Sequence, residues 1–118
     1  MVLSPHNGLS YKYQIPNNLD GFTFVCFNPL TGDKTMWETG IGERLIRQGH
    51  GLLTWNLRGQ IDSPFSIGEI HQDNIVNDSI SLLKKVKPQN PVFIGMSIGG
   101  LYATKVHLNK NGYSCRGL

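Results

Sequence analysis

Ser97 stands in Gly95-Met-Ser97-Ile-Gly99, after the apolar run Pro91-Val-Phe-Ile94 and before a helical pattern. A serine hydroxyl attacks an acyl carbonyl only when it is held out from the backbone and a base takes its proton. A tight strand-to-helix turn presents it in this way, at the cost of a strained backbone conformation. Such a turn presses the residues two places either side of the serine against neighbouring backbone, so they must be small. Gly95 and Gly99 meet that need, and Gly100 reads as easing the packing of the helix on the sheet. The first helical amide, that of Ile98, has no intrahelical acceptor and points outward, which makes it a donor for an oxyanion.

The proton acceptor is the missing part. After Ser97 the only histidine is His107, ten residues on in the same helix. At about 1.5 Å per residue, that helix carries it about 15 Å away. No Asp or Glu follows Asp78. His6, His50 and His71 precede the serine, and each reads as a loop or turn residue. No residue of the chain is therefore assigned as triad acid or histidine. Two other glycine patterns carry no chemistry. Gly40-Ile-Gly42 lacks the third glycine and preceding strand of a dinucleotide fingerprint, and Gly32-Asp-Lys34-Thr35 lacks the Gly-Lys pair of a phosphate loop.

The elements that must position the serine follow from periodicity. Leu9 to Ile15 alternates apolar and polar residues, the pattern of a half-exposed antiparallel edge strand. Phe22–Phe27, Leu52–Leu57 and Val92–Ile94 are apolar runs expected to form buried strands. Between them, Trp37, Ile41 and Leu45 predict one helix over residues 35–48, ended by Gly49-His50-Gly51. A longer helix is expected from about Ile67 to Lys87, with Val76, Ile80 and Leu83 on one face, widened by Ile75, Leu82 and Val86. Lys84, Lys85 and Lys87 complement the dipole at its C-terminal end. Strands alternating with helices imply an α/β domain whose mostly parallel sheet has right-handed crossovers and flanking helices. Residues 1–118 read as one such domain.

With these pieces in order, the chain resembles the α/β-hydrolase superfamily over roughly residues 22–113. Met96-Ser97-Ile98-Gly99-Gly100 is similar to the family's Ser-x-Gly-Gly form. The family's first strand ends in a His-Gly-x loop that supplies a second oxyanion N–H. Phe27-Asn28-Pro29-Leu30-Thr31-Gly32 occupies that place, and the resemblance implies the Leu30 N–H as the second donor. Asn28-Pro29 replaces His-Gly, but the proline lies one residue before the donor. Asn56-Leu57-Arg58-Gly59-Gln60-Ile61-Asp62-Ser63 is similar to the family's Asp-x-Arg-Gly-His-Gly-x-Ser loop, departing at Asn56, Gln60 and Ile61. Arg58 reads there as an internal anchor. Asp78 and the helix to Val86 match the helix leading into the nucleophile strand. In the family the triad acid and histidine follow on loops after later strands. Ser114-Cys-Arg-Gly-Leu118 reads as the start of such a strand, so the chain is read as the N-terminal half of the fold, truncated after the nucleophile helix.

The implied activity is that of a serine hydrolase on a small-molecule ester, thioester or amide, through an acyl-enzyme on Ser97 and with no metal or organic cofactor. An acyltransferase of the same fold and a catalytically inactive binding or oligomerisation module are the alternatives. The nucleophile strand, central in the family, would leave an unpaired edge here, a surface for self-association. The 118 residues carry 39% hydrophobic and 16% charged residues with a net charge of +3, a globular balance. No aromatic residues interleave with the lysine run, which argues against a nucleic-acid surface. Cys26 and Cys115 make no disulfide framework. No signal-peptide pattern or membrane-length apolar stretch is present, and a cytoplasmic protein is expected.

Overall fold

The computed structural model describes residues 9–29, 33–57, 72–109, 113 and 115–117. Its elements run in the order β1 (Tyr11–Gln14), β2 (Thr23–Phe27), α1 (Thr35–Glu38), α2 (Ile41–Arg47), β3 (Gly51–Trp55), α3 (Gln72–Val86), β4 (Pro91–Gly95) and α4 (Ile98–Leu108). The strands form one sheet in the order β1-β3-β2-β4, with β1 antiparallel to β3 and the other pairs parallel. This is the expected mostly parallel α/β sheet, with β1 as its antiparallel edge.

The period-two pattern divides the side chains between the two faces of the sheet. Tyr11, Val25, Phe27, Leu53, Trp55 and Phe93 pack with Val76, Ile80, Leu83, Tyr102, Ala103 and Val106 of α3 and α4. On the other face Cys26 and Leu52 pack with Trp37, Leu45 and Ile46 of α1 and α2. The chain leaves β2 through α1 and α2 to reach β3 on one side. It then returns through α3 to β4 on the other side of β2. The C-terminal end of β2 is therefore a topological switch point, where loops diverge and leave a crevice in open α/β sheets.

Three expectations need correction. The helix over residues 35–48 is two helices, broken at Thr39–Gly40. Gly40 takes φ 62°, and a Cβ on Gly42 would stand 2.1 Å from the Trp37 carbonyl oxygen. The close return of the chain over Trp37 thus requires both the break and the glycine, and it leaves Ile41 exposed instead of on a shared apolar face. β4 is not buried throughout: only Phe93 is, while Val92 and Ile94 are half-covered at the sheet edge. That edge is also not left wholly open. Arg116 N–H donates to the Pro91 carbonyl at 2.6 Å, and Phe93 N–H donates to the Gly117 carbonyl at 2.8 Å. Val92 and Gly117 form a parallel bridge, so the tail does begin a further strand position.

The expected helix residues 67–71 lie outside the described residues. From Gln72 onward the apolar face is as expected, with Ile75, Val76, Ile80, Leu82 and Leu83 buried and Lys84 and Lys85 in the last turn. No described helix is long and apolar enough to cross a membrane.

Candidate active site

Ser97 sits at the turn between β4 and α4 with φ 56° and ψ −124°. A non-glycine residue rarely adopts this backbone region, which costs roughly 1–3 kcal/mol and persists only where surrounding structure enforces it. Ser97 is the N-cap residue of α4, yet its hydroxyl makes no capping hydrogen bond, and the residue is exposed. The usual local use of a serine at this position is therefore not made.

The enforcing contacts are backbone on backbone. A Cβ on Gly95 would lie 2.4 Å from the Gly100 amide nitrogen and Cα. One on Gly99 would lie 2.1 Å from the Phe27 carbonyl oxygen and 2.7 Å from that of Asn28. Met96 N–H donates to the same Phe27 carbonyl at 3.3 Å. The turn is thus clamped onto the C-terminal end of β2, at the switch point. Gly100 differs from its expected role. A Cβ there would meet nothing nearer than the Gly95 carbonyl oxygen at 3.9 Å, so that position needs no glycine for steric reasons.

Ile98 opens α4, and no acceptor for its N–H is found among the described residues. Leu30 lies outside the described residues, as do Arg58 and the rest of residues 58–71. The two ends of the loop that carries Leu30 are described, and both are braced. Asn28 is fully buried; its Nδ2 donates to the Trp55 carbonyl at 2.7 Å, and its Oδ1 accepts from Trp37 Nε1 at 2.7 Å. At the far end Asn56 Oδ1 accepts the Lys34 N–H at 2.7 Å. Asp33 accepts the Thr35 N–H at 2.9 Å and the Thr35 hydroxyl, which holds its carboxyl below the usual range. Asn28 and Asn56 are two of the departures from the motifs of the resemblance, and both hydrogen-bond at the described ends of this loop. Sequence reasoning missed that role; an asparagine directly after a largely apolar strand was the available signal.

Neither described histidine approaches the serine. His50 Nδ1 accepts the Phe22 N–H at 3.1 Å, and its ring packs against Phe22 and Phe24. It precedes β3, at the end of the sheet opposite the turn, and the five residues of β4 alone span roughly 16 Å. His107 is held in the last turn of α4 by Cys115. His6 and His71 lie outside the described residues. No group of three or more His, Cys, Asp or Glu suited to a metal ion is found among the described residues. A cleft of about 440 Å³ between α3 and α4, lined by Asp73, Val76, Asn77, Lys105, Leu108 and Asn109, lies away from the turn.

One stability consequence is direct. Ser97→Gly should raise the unfolding free energy by about 1 kcal/mol, because glycine adopts this backbone freely and only part of the gain is lost to the unfolded chain. Urea denaturation reads it, and a destabilised glycine variant would show the turn to be unstrained.

No protein-family profile and no curated protein sequence matches the chain. Solved structures do match. An esterase from Exiguobacterium antarcticum aligns with a TM-score of 0.75 at 22% identity, over 96% of this chain and 41% of that one. A bromoperoxidase from Bacillus anthracis aligns with a TM-score of 0.76 at 20% identity, over 92% and 37%. A hydrolase from Pseudomonas aeruginosa PA01 aligns with a TM-score of 0.71 at 19% identity, over 99% and 43%. The fold is part of the α/β-hydrolase fold, and the chain spans less than half the length of these structures.

Proposed function

We propose that this chain carries the nucleophile side of a serine-hydrolase active site. In this reading Ser97 attacks the carbonyl of a small-molecule ester, thioester or amide. The amides of Ile98 and Leu30 hold the resulting oxyanion, and water releases the acyl group from the serine. The observation that carries the reading is the strained Ser97 backbone, clamped by Gly95 and Gly99, with a hydroxyl that caps nothing. Strain of this kind at an exposed serine that makes no local hydrogen bond supports a functional role for it. The Ile98 amide, at the positive end of an eleven-residue helix, is placed for charge that develops beside that hydroxyl.

The same geometry leaves the serine without a base among the described residues. That observation favours a second reading, a catalytically silent binding module of the same fold. A fluorophosphonate probe separates the two, because it reacts with a serine that is activated and has an oxyanion site. On the first reading labelling of the chain is slow, maps to Ser97 and vanishes in Ser97→Ala. Added imidazole accelerates it by supplying part of the roughly 10²–10⁴-fold that a positioned base contributes. No labelling at Ser97 with imidazole present would overturn the nucleophile and leave the binding module. An acyltransferase would label in the same way and differ only in passing the acyl group to an acceptor other than water.

A further inference from the structure

A second nucleophile and base meet at the opposite end of α4. Backbone pairing of Arg116 and Gly117 with Pro91 and Phe93 holds the tail against the outer edge of β4. That docking brings Cys115 to the last turn of α4. His107 Nδ1 accepts the Cys115 backbone N–H at 3.4 Å and lies 3.6 Å from Cys115 Sγ. A ring nitrogen that accepts an amide N–H carries a lone pair and no proton, so the neutral ring is protonated at Nε2. The thiol sulfur lies 3.6 Å from the same nitrogen, so the amide and the thiol hydrogen compete for one lone pair.

The chain holds its own reference thiol. Cys26 is 1% exposed, its Sγ contacts the Phe24 carbonyl at 3.6 Å, and burial pushes its thiol well above the ordinary range. Cys115 is only partly buried. One cysteine thus lies in the core with no base beside it among the described residues, and the other lies near the surface with an imidazole against it.

We propose that Cys115 and His107 form a thiol–base pair, separate from the serine turn, which makes Cys115 the residue of this chain that soft electrophiles and peroxides modify. The thiolate is the reactive form of cysteine, and an adjacent histidine promotes it. With an alkyl iodide, an S–C bond forms, the C–I bond breaks, iodide leaves, and the thiol proton passes to Nδ1 as the Cys115 amide N–H gives up that lone pair. With hydrogen peroxide, sulfur bonds to one oxygen as the O–O bond breaks. The departing hydroxide takes the proton from Nδ1 and leaves as water; sulfur is oxidised to sulfenic acid and the peroxide is reduced. His107 is ten residues along α4 from Ser97, about 15 Å, so the pair does not serve the serine.

The test treats the folded 118-residue chain with iodoacetamide, and separately with hydrogen peroxide, and maps the product by peptide mass spectrometry. In the folded chain Cys115 is modified and Cys26 is spared, and Cys115 reacts faster than the same residue in urea-unfolded chain. His107→Gln keeps an oxygen to accept the Cys115 amide but cannot take a proton, and it slows Cys115 by about tenfold. A Gln variant that reacts at the native rate would overturn the pair. So would a folded-chain rate no higher than the unfolded one, a comparison that needs no variant to fold.

Discussion

Gly99→Ala is expected to cost more than about 3 kcal/mol and to displace α4 from the end of β2. The added methyl would meet the Phe27 and Asn28 carbonyl oxygens at 2.1 and 2.7 Å and the Phe27 carbonyl carbon at 2.8 Å. All three are backbone atoms of a strand end buried on both faces, and none can rotate aside. Overpacking relieved only by moving a helix falls among the large single-residue effects. Gly95→Ala should behave alike, since its methyl would strike the Gly100 backbone at 2.4 Å. Gly100→Ala is the control, with room for the methyl and a gain of up to about 1 kcal/mol in helix propensity. Chemical denaturation of the three variants checks the order. A Gly99→Ala protein as stable as the native one would remove the clamp on which the strained serine depends.

The second large effect is Phe27→Ala, expected to cost about 3–5 kcal/mol. Phe27 is fully buried and edge-packed against Trp55 at 5.0 Å and Phe93 at 5.1 Å, one ring from each parallel strand. Loss of the ring leaves a cavity bounded by two rings on backbone-paired strands, which cannot close it. The two edge-to-face contacts are worth about 0.5–1.5 kcal/mol each beyond burial. A domain of this size has only about 5–15 kcal/mol in total, so a large unfolded fraction at 37 °C is expected. Denaturant midpoint and near-ultraviolet circular dichroism report it, and a loss below about 1 kcal/mol would place Phe27 outside the load of the core. Because Phe27 also supplies the carbonyl under Met96, the turn should lose order with the core.

The serine turn was legible because its requirements are local. Two glycines at fixed distance from Ser97, an apolar run before and a helical pattern after all act within ten residues. The split of residues 35–48 was not legible. Trp37, Ile41 and Leu45 satisfy the helical period, and the competing requirement, passage of the chain over the Trp37 carbonyl, arises only once α2 docks on the sheet. The bracing of the Leu30 loop was hidden for a similar reason. Asn28 finds its acceptor 27 residues away at Trp55, and Asn56 its donor 22 residues away at Lys34.

By itself the sequence determined the alternation of strands with helical segments, the α/β class and the position of the strained serine, because periodicity and turn chemistry act between near neighbours. The tertiary structure alone decided which strands lie side by side. Placing β3 and β4 on opposite flanks of β2 makes the end of β2 a switch point beside Ser97 and puts β4 at an edge. That edge then takes up the tail and carries Cys115 to His107. Pairing between distant strands depends on backbone groups that every residue shares, so residue type records it only weakly, whereas a glycine that a neighbouring carbonyl requires is written in the chain.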